Sequence, residues 1–142
     1  MVDIDKLSKA LDDESNESLL NFTTKKIREI IVAAINELNL EPTKRKTILD
    51  KLKGYRYVDE MNELKNGTYL RWIPLQDPAH LEMTTGAIFC DLNITNDGIY
   101  LICKNYGNHR KRFQINMGEC LIFRRLTDQE MVLLSALDHL SK

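Results

Sequence analysis

The sequence predicts an α+β protein: an N-terminal helical hairpin, a five-stranded antiparallel barrel and a C-terminal helix. Three observations carry this. Apolar residues recur every three or four positions in the first third. The period changes to two after Tyr55, with Gly, Asn and Asp between short β-rich runs. Near the end, Thr127 and Glu130 form a capping box in front of an apolar run. The division falls into a helical region, residues 1–54, and a barrel with its capping helix, residues 55–142.

A short first helix is expected with Ile4, Leu7 and Leu11 on one side. In the second, Ile27, Ile30, Ile31, Ala34, Ile35 and Leu38 make a continuous stripe. "EPTKRKTILDKLKGY" carries Pro42 near a helix start and Gly54 just past its end, the usual asymmetry of a helix's two ends. Ile48, Leu49 and Leu52 form its apolar side, and Lys44, Arg45, Lys46, Lys51 and Lys53 its wet side. The short connection at residues 39–41 makes these two helices antiparallel neighbours.

Five strands follow: "GTYLRWIPL", "GAIFCDLNI", "GIYLICKN", "KRFQI" and "CLIFRR". "TNDG", Thr95 to Gly98, is the clearest turn. Taken as a four-residue loop it sets Ile94 opposite Ile99, Leu92 opposite Leu101 and Cys90 opposite Cys103. Ile88, Leu92, Ile94, Ile99, Leu101, Ile122 and Phe123 are the expected barrel interior. Trp72, the single tryptophan, reads as a core plug between barrel and helices. Leu133, Leu134, Leu137 and Leu140 are the expected buried side of the last helix.

"ELKNGTYLRWI", a long loop through "PLQDPAHLEMTT", three closely spaced strands and a short fifth together resemble SH3-like and Tudor-like small barrels. The likeness spans about half the chain and concerns strand order. It implies a module that binds peptides, modified side chains or nucleic acid. Tyr69, Trp72, Phe89 and Tyr100 are its aromatic residues, and no cage is carried over to them. "GTYLRWIPL" with "IFRRLTDQEMVLL" also resembles uncharacterised small proteins of large double-stranded DNA viruses, which implies a virion or accessory role and assigns no residue.

Lys and Arg total 20 against 21 for Asp and Glu, so no global field draws polyanions. Charge is segregated all the same. Residues 23–56 hold nine basic against four acidic side chains, residues 57–103 two against seven, and residues 104–125 six against one. No apolar run reaches the roughly 18 residues a bilayer span needs, and the acidic start lacks a secretory pattern. No membrane partner is expected, and the protein is expected in the cytoplasm, or in a virion, rather than secreted. Cys90, Cys103 and Cys120 are odd in number and sit in apolar runs, which fits reduced core thiols.

Chemistry-bearing motifs are sparse. His80, His109 and His139 lie far apart, the cysteines form no C-x-x-C, and no glycine-rich phosphate loop or G-x-S-x-G elbow occurs. No metal, cofactor, small-molecule substrate or catalytic residue is expected. Asp59, Glu60 and Glu63 read as a solvated linker. The expected function is therefore a non-enzymatic interaction or structural module whose partner is another protein or a second copy. Interface candidates are Ile27, Ile31, Ile35 and Leu38; the stripe could equally fold back on the barrel. The alternative is nucleic-acid binding, with Lys44, Arg45 and Lys46 on the basic helix 43–53 and His109, Arg110, Lys111 and Arg112 on the basic hairpin. Against it, strand alternation sends Arg110 and Arg112 to the side opposite Lys111.

Overall fold

The computed structural model describes residues 4–105, 107 and 111–141. Its helices are α1 (Ile4–Asp12), α2 (Thr24–Asn36), α3 (Pro42–Lys51) and α4 (Asp128–Leu140). Its strands are β1 (Tyr55–Val58), β2 (Tyr69–Pro74), β3 (Ala87–Thr95), β4 (Gly98–Lys104), β5 (Arg112–Asn116) and β6 (Cys120–Arg125). The chain is thus α+β, with one antiparallel sheet in the order β1-β6-β2-β3-β4-β5. Short 3₁₀ turns cover Glu14–Leu19, Met61–Glu63 and Met117–Glu119. None of the helices is long and apolar enough to cross a membrane, among the described residues.

Local chemistry sets the helix ends. Thr23 accepts from Lys26 N at 3.1 Å in front of α2, and Thr127 and Glu130 exchange reciprocal bonds in front of α4. Pro42 opens α3 and Gly54, at φ +81°, follows its end.

Two apolar clusters flank the sheet. One joins α1 to α4 to one face of the sheet, through Ile31, Ile35, Leu52, Ile73, Phe123 and Leu133. The helical region therefore shares its core with the strands. The other cluster sits on the opposite face and draws on every strand: Val58, Ile122, Trp72, Phe89, Leu101 and the half-buried Phe113 belong to it. Trp72 on β2 meets the Phe113 ring on β5 at 6.0 Å, so the sheet curls around its own interior. Trp72 plugs this concave side rather than the space under the helices.

The predicted five-stranded barrel is corrected in two respects. β1 is a sixth strand on the outer side of β6, pairing Tyr55 with Arg125 and Val58 with Ile122. The sheet is also open, because β1 and β5 remain its two edges. Around the "TNDG" turn, Leu92 pairs with Leu101 and Ile94 with Ile99 as the alternation predicts. A bulge between Phe89 and Asp91 then sets Phe89, not Cys90, opposite Cys103. Ile94, expected inside, is 64% exposed. β2 pairs with β3 only at Tyr69 and Leu70, so the far half of β3 has β4 as its one neighbour and runs past the cluster. Leu101 and Ile122 are buried in the concave cluster; Phe123, also expected there, is buried on the opposite, helical face because neighbouring residues of a strand alternate. Ile88, Leu92 and Ile99 are half-buried. In α1, Leu7 and Ala10 face inward while Ile4 and Leu11 are exposed. In α4, Leu133 and Leu134 are buried and Leu140 is exposed.

Candidate functional site

The curled sheet leaves a cleft beside its two edge strands. β1 pairs only with β6 and β5 only with β4, and between their ends lies a cavity of about 700 Å³. Val58, Ile99, Met117 and Leu121 supply apolar walls, and Asp59, Asp97 and Glu119 bring three exposed carboxylates to the same cavity. No basic side chain lines it among the described residues. The chain's near-neutral total therefore hides a locally negative cleft.

Its walls are held by short-range bonds. Leu75 N donates to Glu119 O at 2.9 Å, and Gln76 Nε2 donates to Glu119 Oε2 at 2.6 Å. Gly118 N donates to Asn116 Oδ1 at 2.9 Å, which fixes the turn leaving β5. Burial raises the Tyr57 hydroxyl above its ordinary value, with Asp59, Glu37 and Glu63 adding to the shift, so it remains a neutral hydrogen-bond donor at the cleft. The Cys120 thiol is also raised, by burial and then by Glu119, and is a poor nucleophile there. Apolar contact, carboxylate pairing and backbone pairing are what the cleft offers.

Next to Val58 and Ile122, on the same face of the sheet, charges are buried in a network the sequence reading missed. Arg124 is 1% exposed and Glu130 0%; Arg124 Nη1 and Nη2 reach the two Glu130 oxygens at 2.6 and 2.8 Å. Arg124 Nε also donates to Glu63 O at 2.8 Å. Arg56, directly across from Arg124 on β1, pairs with the Glu63 carboxylate. Lys65 Nζ lies 3.7 Å from Glu130 and donates to buried Asn16. Two arginines side by side would repel, and Glu63 and Glu130 compensate them. Burial alone would raise the Glu130 carboxyl, but Arg124 and the Thr127 amide overcome it and hold the group below the usual carboxylate range. Burial lowers the Arg56 and Lys65 values. This network anchors β1, β6, the 61–65 segment and α4 to one another. Glu63, expected in a solvated linker, is thus half-buried and engaged. The capping box was the one local signal, since it fixes where Glu130 points.

Other predicted residues scatter. Ile27, Ile31 and Ile35 are 6, 1 and 0% exposed and Leu38 is half-buried, so the stripe packs inside the chain, the second of its two readings. Lys44 pairs with Glu82 at 2.8 Å, Arg45 donates to Asn36 at 2.6 Å, and Lys46 is exposed. Lys111 and Arg112 are exposed at the start of β5; His109 and Arg110 lie outside the described residues. Trp72 and Phe89 belong to the concave cluster while Tyr69 packs on the helical side, so the four aromatic residues do not converge. Among the described residues, no three of His, Cys, Asp and Glu are grouped to hold a metal ion.

Comparison with protein-family models, with characterised proteins and with solved structures finds no match to this chain. What defines the chain is its own arrangement: an α+β protein with a curled, open sheet and an acidic cleft at the opening.

Proposed function

We propose that this protein is a non-enzymatic interaction module that takes an extended segment of another protein into the cleft between β1 and β5. One observation carries the reading: a cavity of about 700 Å³ lies where two strands each have one free side. A strand laid there finds backbone groups to pair with, which is the physics of strand addition. Alternation would turn one set of its side chains to the apolar walls and the other to Asp59, Asp97 and Glu119, so the segment that fits alternates apolar and basic residues. The likeness to SH3-like barrels belongs to this reading. Its support is the order of strand, long loop and closely spaced strands in β2 to β6.

The test is fluorescence anisotropy at low salt with three labelled probes: a nine-residue peptide alternating Lys and Val, its Glu and Val counterpart, and a 20-nucleotide single strand of DNA. The Lys peptide should bind, and Asp97→Lys combined with Glu119→Lys should weaken it at least tenfold. Equal affinity for both peptides, or no effect of the two substitutions, would overturn the proposal. Binding of the DNA alone, falling steeply with salt and lost on reversing Lys46 and Arg112, would establish the nucleic-acid reading in its place.

A further inference from the structure

A second cavity, at the opposite end of β1 from the acidic cleft, has a different chemistry. α2 and α4 are clasped where the start of one meets the end of the other: Asp138 accepts from Thr24 N at 2.8 Å and from Thr24 Oγ1 at 2.6 Å. A groove of about 330 Å³ lies between the two helices, with Ile27, Ile31, Leu52, Tyr55 and Leu134 among its lining and Met131 at its lip. That volume is at the small end of ligand sites. Met131 is 51% exposed, so the groove opens to water at its lip, and the side chains behind it, buried already, give it an apolar floor. Thioether flexibility lets such a lip adjust to what enters.

Basic side chains outnumber acidic ones two to one at this groove. Arg28 lines it and is held in place by donating Nη1 to Leu49 O at 2.8 Å. Lys53 lines it too, and its nearest carboxylate, Asp50, is 4.0 Å away on an exposed surface, where such a pair holds weakly. The one acid in the lining, Asp138, has both oxygens engaged by Thr24. We infer that the groove binds a small anionic amphiphile of the medium-chain carboxylate class, its apolar body between α2 and α4 and its head group at Arg28 and Lys53. A neutral apolar body would leave the two cations unused, and a cationic head would meet them as like charges.

The five methionines give a readout that separates this groove from the acidic cleft, because Met131 lines the first and Met117 the second. In methyl-labelled full-length protein, decanoate at up to about 1 mM should shift the Met131 resonance and leave Met117 unmoved, and decyltrimethylammonium should move neither. Arg28→Gln should weaken decanoate about tenfold, the weight of a charge-assisted hydrogen bond to a carboxylate. Ser135 is an exposed lining residue, so Ser135→Phe fills the groove from outside without entering the core. That variant, checked for an unchanged unfolding curve, should abolish the shift. No Met131 shift with decanoate, an equal shift with the cationic detergent, or a shift that survives Ser135→Phe would overturn the inference.

Discussion

Glu130→Gln removes one charge from a pair with almost no access to water. In the native protein Glu130 Oε1 accepts from Arg124 Nη1 at 2.6 Å and Thr127 N at 2.8 Å, and Oε2 accepts from Arg124 Nη2 at 2.8 Å. The amide keeps one acceptor and turns an NH₂ group against an arginine donor. Arg124, itself buried, then lacks its counter-charge with Arg56 opposite. Leaving a buried charge uncompensated costs about 3–5 kcal/mol, a large part of the roughly 5–15 kcal/mol that holds a domain folded. Urea unfolding followed by the fluorescence of Trp72, the only tryptophan and 7% exposed, should show a lowered midpoint at unchanged slope. A second arm uses pH. Because the native Glu130 carboxyl lies below its ordinary value, its contribution is complete above the unfolded value, roughly 4.3. It is lost as pH falls through the lower folded value. The wild-type advantage over Glu130→Gln should therefore shrink across that acid window. A loss under about 1 kcal/mol at neutral pH would refute the reasoning, since this ion pair would then not be holding α4 to the sheet.

Three further outcomes follow from the packing. Leu101→Ala should cost about 2–5 kcal/mol because Leu101 is fully buried, while Ile94→Thr on the exposed hairpin should stay within about 0.5 kcal/mol; equal urea midpoints for the two would contradict the placement of the hairpin. Gly86 sits at φ +104° where an added Cβ would lie 2.4 Å from Leu70 O, so Gly86→Ala should cost about 2 kcal/mol or more, and an unchanged midpoint would show a different backbone there. Burial, with Cys90 adding, pushes the Cys103 thiol up to about 12; mass-spectrometric mapping after a thiol reagent at pH 8 should find Cys90 and Cys120 labelled well before Cys103, and simultaneous labelling would show that Cys103 is accessible.

The parts of this fold that announce themselves in sequence are those decided by neighbours a few residues apart. The Ile27–Ile35 stripe, the Thr127 cap and the pairing of Leu92 with Leu101 each rest on a local period or a local bond. β1 did not announce itself, because "YRYV" is four residues long and puts Arg56 where an inward residue was to be apolar. That arginine is buried with Glu63 as its ion-pair partner. Arg124 read as the wet end of a strand for the same reason: its partners Arg56, Glu63 and Glu130 come from three separate places in the chain. The bulge at Cys90 has no composition of its own, and it displaced the expected cysteine pairing. The acidic cleft inherits these difficulties, since it exists only once β1 is added beside β6 and the sheet stays open. Its carboxylates Asp59, Asp97 and Glu119 are ordinary turn residues in sequence.

The position of β6 bears on how the protein is made. β2 to β5 are joined to their neighbours in order and can pair as they are synthesised, but β1 has no partner except β6, so Val58 waits for Ile122 and Tyr55 for Arg125. Contacts at such separation form late because the intervening chain must first be ordered. A nascent chain halted before residue 120 would carry both β1 and β2 with a side that β6 fills in the folded protein, and in that interval other chains compete for the same backbone groups.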